Sequence, residues 1–129
     1  MPNKIVIIGA GQAACSFAAK YRSHDADAEI VMVGDETMPP YQRPPLSKKY
    51  ATGEMSADQL LLRPADWYQE NNVRLLTEKT ATAIDLDAKV VTLKDGRKLD
   101  WTKLFIATGS RPRTLPGAIG GELDGIYAL

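Results

Sequence analysis

Hydrophobic positions along this chain follow two periods. Ile5-Val6-Ile7-Ile8 is an unbroken branched apolar run, the pattern of a parallel strand buried on both faces. Ala14, Phe17, Ala18 and Tyr21 then recur at i, i+3, i+4 and i+7, which predicts a helix. Glu29-Ile30-Val31-Met32-Val33 predicts a second strand and closes a strand–helix–strand unit. Four prolines between Met38 and Pro45 interrupt the pattern, and Pro45 can open a helix that ends near Gly53. Leu60-Leu61-Leu62 is a short apolar stretch. Pro64 starts a further helix, Ala65 to Gln69, which Asn71-Asn72 can stop. Trp67 and Tyr68 on it read as packing residues. Val73-Arg74-Leu75-Leu76 predicts a third parallel strand.

The period changes from Ala81 onward. Thr82 to Asp85, Lys89 to Leu93 and Lys98 to Trp101 are short strand candidates, the last two joined by the hairpin pair Asp95-Gly96. They predict an antiparallel meander spliced into the α/β pattern. Lys103-Leu104-Phe105-Ile106-Ala107 returns to the buried parallel type and runs into Thr108-Gly109-Ser110-Arg111-Pro112-Arg113. The expected fold is an α/β, three-layer, Rossmann-like dinucleotide-binding domain. Its parallel sheet carries the inserted meander and is incomplete at the C-terminus, leaving the last strand as an apolar edge that invites self-association.

The turn between the first strand and helix is Gly9-Ala10-Gly11-Gln12-Ala13-Ala14, the dinucleotide fingerprint with alanine at its third small position. Gly9 permits the tight turn. Gly11 has no Cβ, so a pyrophosphate can approach the backbone. Ala14 lets helix and strand pack closely. The helix N-terminus presents free N–H groups and a partial positive charge. Asp35 lies at the distance where this motif places a ribose-binding carboxylate, with Glu36 beside it; a turn-forming Gly-Asp pair is the plainer alternative. Arg43 and Lys48 flank the proline-stiffened turn, either as presented cations or as ordinary surface charges.

Composition narrows the chemistry. The 129 residues are the size of one domain, and 16 basic residues balance 16 acidic ones. A net charge of zero supplies no global field to recruit nucleic acid or an anionic membrane. No segment approaches the ~20 apolar residues of a membrane span. The N-terminus enters a strand without a signal-peptide pattern, so a cytoplasmic location is the default expectation. Cys15 and His24 are each the only residue of their kind. A catalytic triad, an internal disulfide or a cysteine–histidine metal centre has nothing to build on. Cys15 reads as a small buried residue, although the first helical turn can also activate a thiol. His24 reads as part of a solvated helix end.

These motifs together resemble the N-terminal, FAD-binding part of the FAD-dependent ferredoxin reductases within the pyridine nucleotide-disulfide oxidoreductase superfamily. The resemblance covers essentially the whole chain, and the stretch Arg43-Pro44-Pro45-Leu46-Ser47-Lys48 is its most specific part. It implies that Gly9, Gly11, Gln12 and Ala13 meet the FAD pyrophosphate through backbone groups, over Ala14. It implies that Asp35 and Glu36 hold the adenosine ribose, and that Ala81 meets the adenine. Arg43 and Lys48 would reach toward the flavin end, with Lys48 near the ring edge that exchanges the hydride. Thr108 and Gly109 would line the cofactor channel, assisted by Arg113. A fixed cation near the flavin stabilises the negative charge of the reduced ring.

Such reductases carry hydride from NAD(P)H to FAD and then single electrons to a ferredoxin-type iron–sulfur protein. The absence of paired cysteines fits that branch rather than the disulfide-reducing one. Residues 1–129 are expected to be only the N-terminal part of the FAD-binding domain, without the NAD-binding and C-terminal domains. By itself the chain is expected to bind rather than to turn over. Two alternatives remain open from the residues: a free-standing NAD(P)-binding domain, or a non-catalytic, self-associating fragment.

Overall fold

A computed structural model describes residues 1–128 and contains two sheets with helices on one side. The parallel sheet has four strands in the order β3-β2-β1-β7: β1 is Lys4–Ile8, β2 Glu29–Val33, β3 Val73–Leu76 and β7 Lys103–Ile106. Helix α1, Gln12–His24, connects β1 to β2. Strands β4 (Ala81–Asp85), β5 (Val90–Leu93) and β6 (Lys98–Asp100) form a separate antiparallel meander. The meander lies in sequence between β3 and β7, as the change of period predicts.

Strand alternation builds the two cores. Ile5 and Ile7 of β1 and Ile30 and Met32 of β2 pack beneath Ala14 and Ala18 of α1. Phe17 of α1 stacks on Phe105 of β7 at a centroid distance of 4.0 Å. The opposite positions, Val6, Ile8 and Val33, face Val91 and Leu93 of β5 and Leu99 of β6. The parallel sheet is therefore covered on both sides, which is why its strands read as continuous apolar runs.

The long crossover from β2 to β3 departs from expectation in two places. No α-helix follows Pro45; the chain makes one 3₁₀ turn, Pro44–Ser47, and then successive turns. Residues 48–54 have no apolar face to bury, and so short an unsupported helix is unstable in water. A short helix not anticipated from the pattern, α2 (Ala57–Leu60), forms instead. Its signal is Ser56 with Gln59 three residues on, a reciprocal capping box. Helix α3, Trp67–Glu70, starts two residues later than expected and stops at Asn72, which adopts φ 53°.

Tyr68 of α3 is buried against β3, and Trp67 packs at its margin, the packing roles expected of both. Burial pushes the Tyr68 phenol well up from its ordinary value, with the Cys15 thiol adding to the shift. Cys15 is buried, with its Sγ 3.8 Å from the Tyr68 hydroxyl, so the small-buried-residue reading holds. His24 is exposed at the end of α1. Arg22 ties that end down, donating to the carbonyls of Asn71, Asn72, Asp25 and Ala26.

At the other side of the sheet β7 pairs only with β1. It forms the expected open edge, with Ile106 58% exposed. No helix among the described residues is long and apolar enough to cross a membrane.

Candidate functional site

The carboxyl ends of β1, β2 and β7 converge on a cleft of about 880 Å³, within the usual range of small-molecule sites. The glycine motif forms one wall. Gly9 has φ +121°, and a Cβ placed there would lie 2.0 Å from the carbonyl oxygen of Ala107. Its N–H donates to Val33 O at 2.8 Å. Glycine is thus required here by the close approach of Ala107 and by the positive φ, while the backbone bond to Val33 ties the turn to β2. Gly11 differs: a Cβ there would meet nothing within 4 Å and would project into open space beside the cleft. Gly11 is also the N-cap of α1, which carries no side-chain cap and no acidic residue in its first turn. The first N–H groups of the helix, at Gln12 and Ala13, are left for an anion. Ala14 is fully buried and acts through packing. A third small residue escapes sequence reasoning: a Cβ on Gly34 would stand 2.5 Å from the Ala10 Cβ.

The turn after β2 forms the second wall. Glu36 has both carboxylate oxygens engaged. The Tyr41 hydroxyl donates to one at 2.6 Å and Arg43 Nη2 to the other at 2.9 Å. Arg43 Nη1 also donates to the Tyr41 oxygen at 3.1 Å, and its guanidinium lies 4.9 Å from the Tyr41 ring centroid. The Tyr41 hydrogen bond, reinforced by Arg43, holds the Glu36 carboxyl below its ordinary value of 4.5. Burial and Glu36 push the Tyr41 phenol up. The proline-rich loop is fixed on its far side by Leu60-Leu61-Leu62, through Gln42 N to Leu60 O and Leu62 N to Pro40 O.

Asp35 has no hydrogen-bond partner among the described residues. Its only ion pair is a loose one, 3.6 Å to Arg111 Nη2, and both groups are largely exposed. Between the two acids, Asp35 is therefore the carboxylate with acceptor capacity to spare. Thr108 and Gly109 line the cleft after β7, and Ala81 lines it from the meander. Ten of the thirteen expected site residues thus line one cavity: Gly9, Gly11, Gln12, Ala13, Asp35, Glu36, Arg43, Ala81, Thr108 and Gly109. Arg43 enters at the Asp35–Glu36 end. Lys48 and Arg113 do not line it; the Lys48 amine donates to Pro44 O at 3.4 Å within its own loop.

The cleft also gathers residues that sequence reasoning passed over. Lys79 and Thr80 lead into the meander and carry no motif, whereas Arg111 stands two residues after Gly109 and could have been found there. Lys79 is paired with Asp95 at 3.2 Å. No group of three or more metal-ligating side chains occurs among the described residues. The cleft offers backbone donors at a helix end, a loosely paired carboxylate and a few cations, a set suited to holding a nucleotide.

The Glu36 cluster makes a pH prediction. The folded state lowers the Glu36 pKa, so its contribution to stability is complete above the ordinary Glu range and is lost as pH falls through the depressed value. Below pH 4.5 the anchor of the proline-rich loop should weaken, seen as a pH-dependent shift of the Tyr41 ring resonances. Glu36→Gln should remove that pH dependence; an unchanged titration would show that the pair does not anchor the loop.

The sequence profile of one family, pyridine nucleotide-disulphide oxidoreductase, matches residues 3–128. The chain belongs to the pyridine nucleotide-disulphide oxidoreductase family. This is a family of oxidoreductases that use FAD with NAD(P)H. Putidaredoxin reductase of Pseudomonas putida is 43% identical over 118 residues, covering 92% of this chain and 28% of that protein. Rhodocoxin reductase of Rhodococcus erythropolis is 42% identical over 125 residues, covering 97% and 29%. Among solved structures, the covalent putidaredoxin reductase–putidaredoxin complex matches with a TM-score of 0.86 at 43% identity, covering 92% of this chain and 28% of that one. NADH:rubredoxin oxidoreductase from Clostridium acetobutylicum matches with a TM-score of 0.78 at 40% identity, covering 90% and 30%. The chain thus spans less than a third of the length of these family members.

Proposed function

We propose that residues 1–129 are the N-terminal part of the FAD-binding domain of a ferredoxin reductase, and that the cleft holds the adenosine-diphosphate half of FAD. One observation carries the assignment: the uncapped α1 N-terminus beside the open space at Gly11 shares one cleft with the Asp35 carboxylate, which accepts no hydrogen bond among the described residues and is only loosely paired with Arg111. Gln12 and Ala13 donate to the pyrophosphate, and Asp35 accepts from the ribose hydroxyls. Ala81 borders the adenine through its backbone, while Thr108 and Gly109 line the channel beyond. Glu36 is a positioning residue that fixes the loop through Tyr41 and Arg43. Lys48, further along that loop, and Arg113, beyond the cleft wall, belong to the flavin-side surroundings.

FAD held here would supply hydride-accepting and single-electron chemistry, while the residues of this chain would bind and orient its adenosine-diphosphate half. The iron–sulfur partner of the proposal rests on the family relatives, one of which is solved in complex with putidaredoxin. The open β7 edge favours a second, compatible reading, that this chain self-associates; a concentration-independent monomer in sedimentation would remove it.

Titration with FAD, FMN and NAD tests the assignment. FAD should bind most tightly, because FMN lacks the adenosine that the cleft addresses. Asp35→Ala should weaken FAD binding by about 1–2 kcal/mol, the scale of a hydrogen bond to a charged group, and leave FMN unaffected. Equal FAD and FMN curves for the unmutated chain would refute the adenosine site. Tighter binding of NAD than of FAD would favour the free-standing NAD(P)-binding alternative.

A further inference from the structure

The two sheets do not close at both ends. On the face of the parallel sheet that meets the meander, the carboxyl-end positions are apolar: Ile8, Val33 and Leu76. Strand alternation puts Lys4, Glu29 and Arg74 on the same face toward the amino end. Lys4 pairs in register with Glu29, and Arg74 with Val31. Charged groups there cannot be sealed under the meander without large desolvation costs. The layers leave a groove of about 240 Å³ instead. Its apolar surface includes Val6, Val31 and Leu99, and β6 and the turn before it contribute Arg97, Lys98 and Asp100. The five residues of β1 separate it from the Gly9 turn, roughly 13–17 Å away at the rise of a strand.

The charges in this groove are unbalanced. It gathers four cations and two carboxylates in a chain whose net charge is zero. Asp100 is taken by Lys4, an ion pair that lowers the carboxyl pKa and raises that of the amine. Asp95, next to Arg97 in the turn, is taken by Lys79. The side chains of Arg74, Arg97 and Lys98 make no ion pair or hydrogen bond among the described residues, the Arg97 backbone N–H donating to Asp95 Oδ1, and Glu29 is the one unpaired carboxylate lining the groove. Two unpaired guanidinium forks, brought from separate sheets to the rim of an apolar floor with the Lys98 charge at the edge of β6, suit a multivalent oxyanion.

We propose that this groove is a second ligand site, distinct from the nucleotide cleft, for a small multivalent oxyanion, of the phosphate or dicarboxylate kind. Arg74 and Arg97 supply the paired donors, Lys98 adds charge, and Glu29 limits affinity by repulsion.

Residue-resolved NMR titration of the unmutated chain with inorganic phosphate, at constant ionic strength, tests it, and separates this groove from the α1 N-terminus. Saturable shifts are expected at Arg74, Arg97 and Lys98. Arg74→Gln and Arg97→Gln should each weaken binding about tenfold or more, the worth of one charge-assisted hydrogen bond. Glu29→Gln should strengthen it severalfold, a gain that misfolding cannot imitate. Lys49→Gln, on the exposed proline-rich loop, should change nothing. Succinate should displace phosphate if the site reads the oxyanion class; binding of phosphate without displacement narrows the site to phosphates and still supports it. Shifts that spread over all surface lysines, fail to saturate, or ignore the three groove substitutions would mean an adventitious ion only and overturn the proposal.

Discussion

Gly11→Val is expected to abolish FAD binding while leaving the fold intact. A Cβ added there would meet no protein atom within 4 Å, so no clash arises at that atom, and the loss to the fold is limited to the poorer N-cap that Val makes. The branched Cβ instead occupies the space through which a pyrophosphate must approach the N–H groups of Gln12 and Ala13. Losing those charge-assisted hydrogen bonds costs about 3 kcal/mol or more, over a hundredfold in affinity. Thermal melting should stay within a few degrees of the parent, and far-ultraviolet circular dichroism should not change. The measurement is a fluorescence titration with FAD beside a melting curve. Normal FAD affinity in this variant would remove the glycine turn from the cofactor site.

Gly9→Ala should do the reverse, destabilising the chain whatever the ligand. The new Cβ would sit 2.0 Å from the Ala107 oxygen and 2.6 Å from its carbonyl carbon, both backbone atoms that cannot rotate aside. The residue must also keep φ +121°, which an L side chain rarely adopts. Strain of this type costs about 1–3 kcal/mol, and displacing the end of β7 adds a similar overpacking term. The sum is about 3 kcal/mol or more, a fall in Tm of about 10 °C or more for a chain of this size. Gly53→Ala is the control: it also requires positive φ, +80°, but has open space around it. It should cost only about 1 kcal/mol. If Gly9→Ala melts like Gly53→Ala, the contact with Ala107 is not limiting.

These two glycines mark how far the site was legible in advance. The turn glycine and the phosphate-approach glycine are told apart by motif spacing, yet only the position of β7 reveals that Gly9 faces another backbone. The paired acids show the same division. Their distance from the motif points to a ribose, but only the structure sets them apart: Tyr41 and Arg43 occupy Glu36, whereas Asp35 is only loosely paired. Arg43, which the resemblance directs toward the flavin end, lines the cleft from a position beside the acidic turn, where it pairs with Glu36. Lys48 falls within the stretch expected to be helical, which makes one 3₁₀ turn and successive turns because residues 48–54 offer no apolar face to bury.

Local pattern sufficed for β1, α1 and β2, for the meander, and for the glycine turn between β1 and α1. Those features arise from side-chain period and from glycine stereochemistry, which act between residues close in sequence. The assembly of the cleft was a different matter. The β7 pairing partner, the Arg111–Asp35 contact and the loop anchor at Glu36 join positions that are distant in sequence or set by a turn with no regular period. The groove at Arg74 and Arg97 is the extreme case. In a strand covered on both faces, alternation says that two sides exist but not which layer covers which side. Only docking of the meander placed these cations together and left them unpaired.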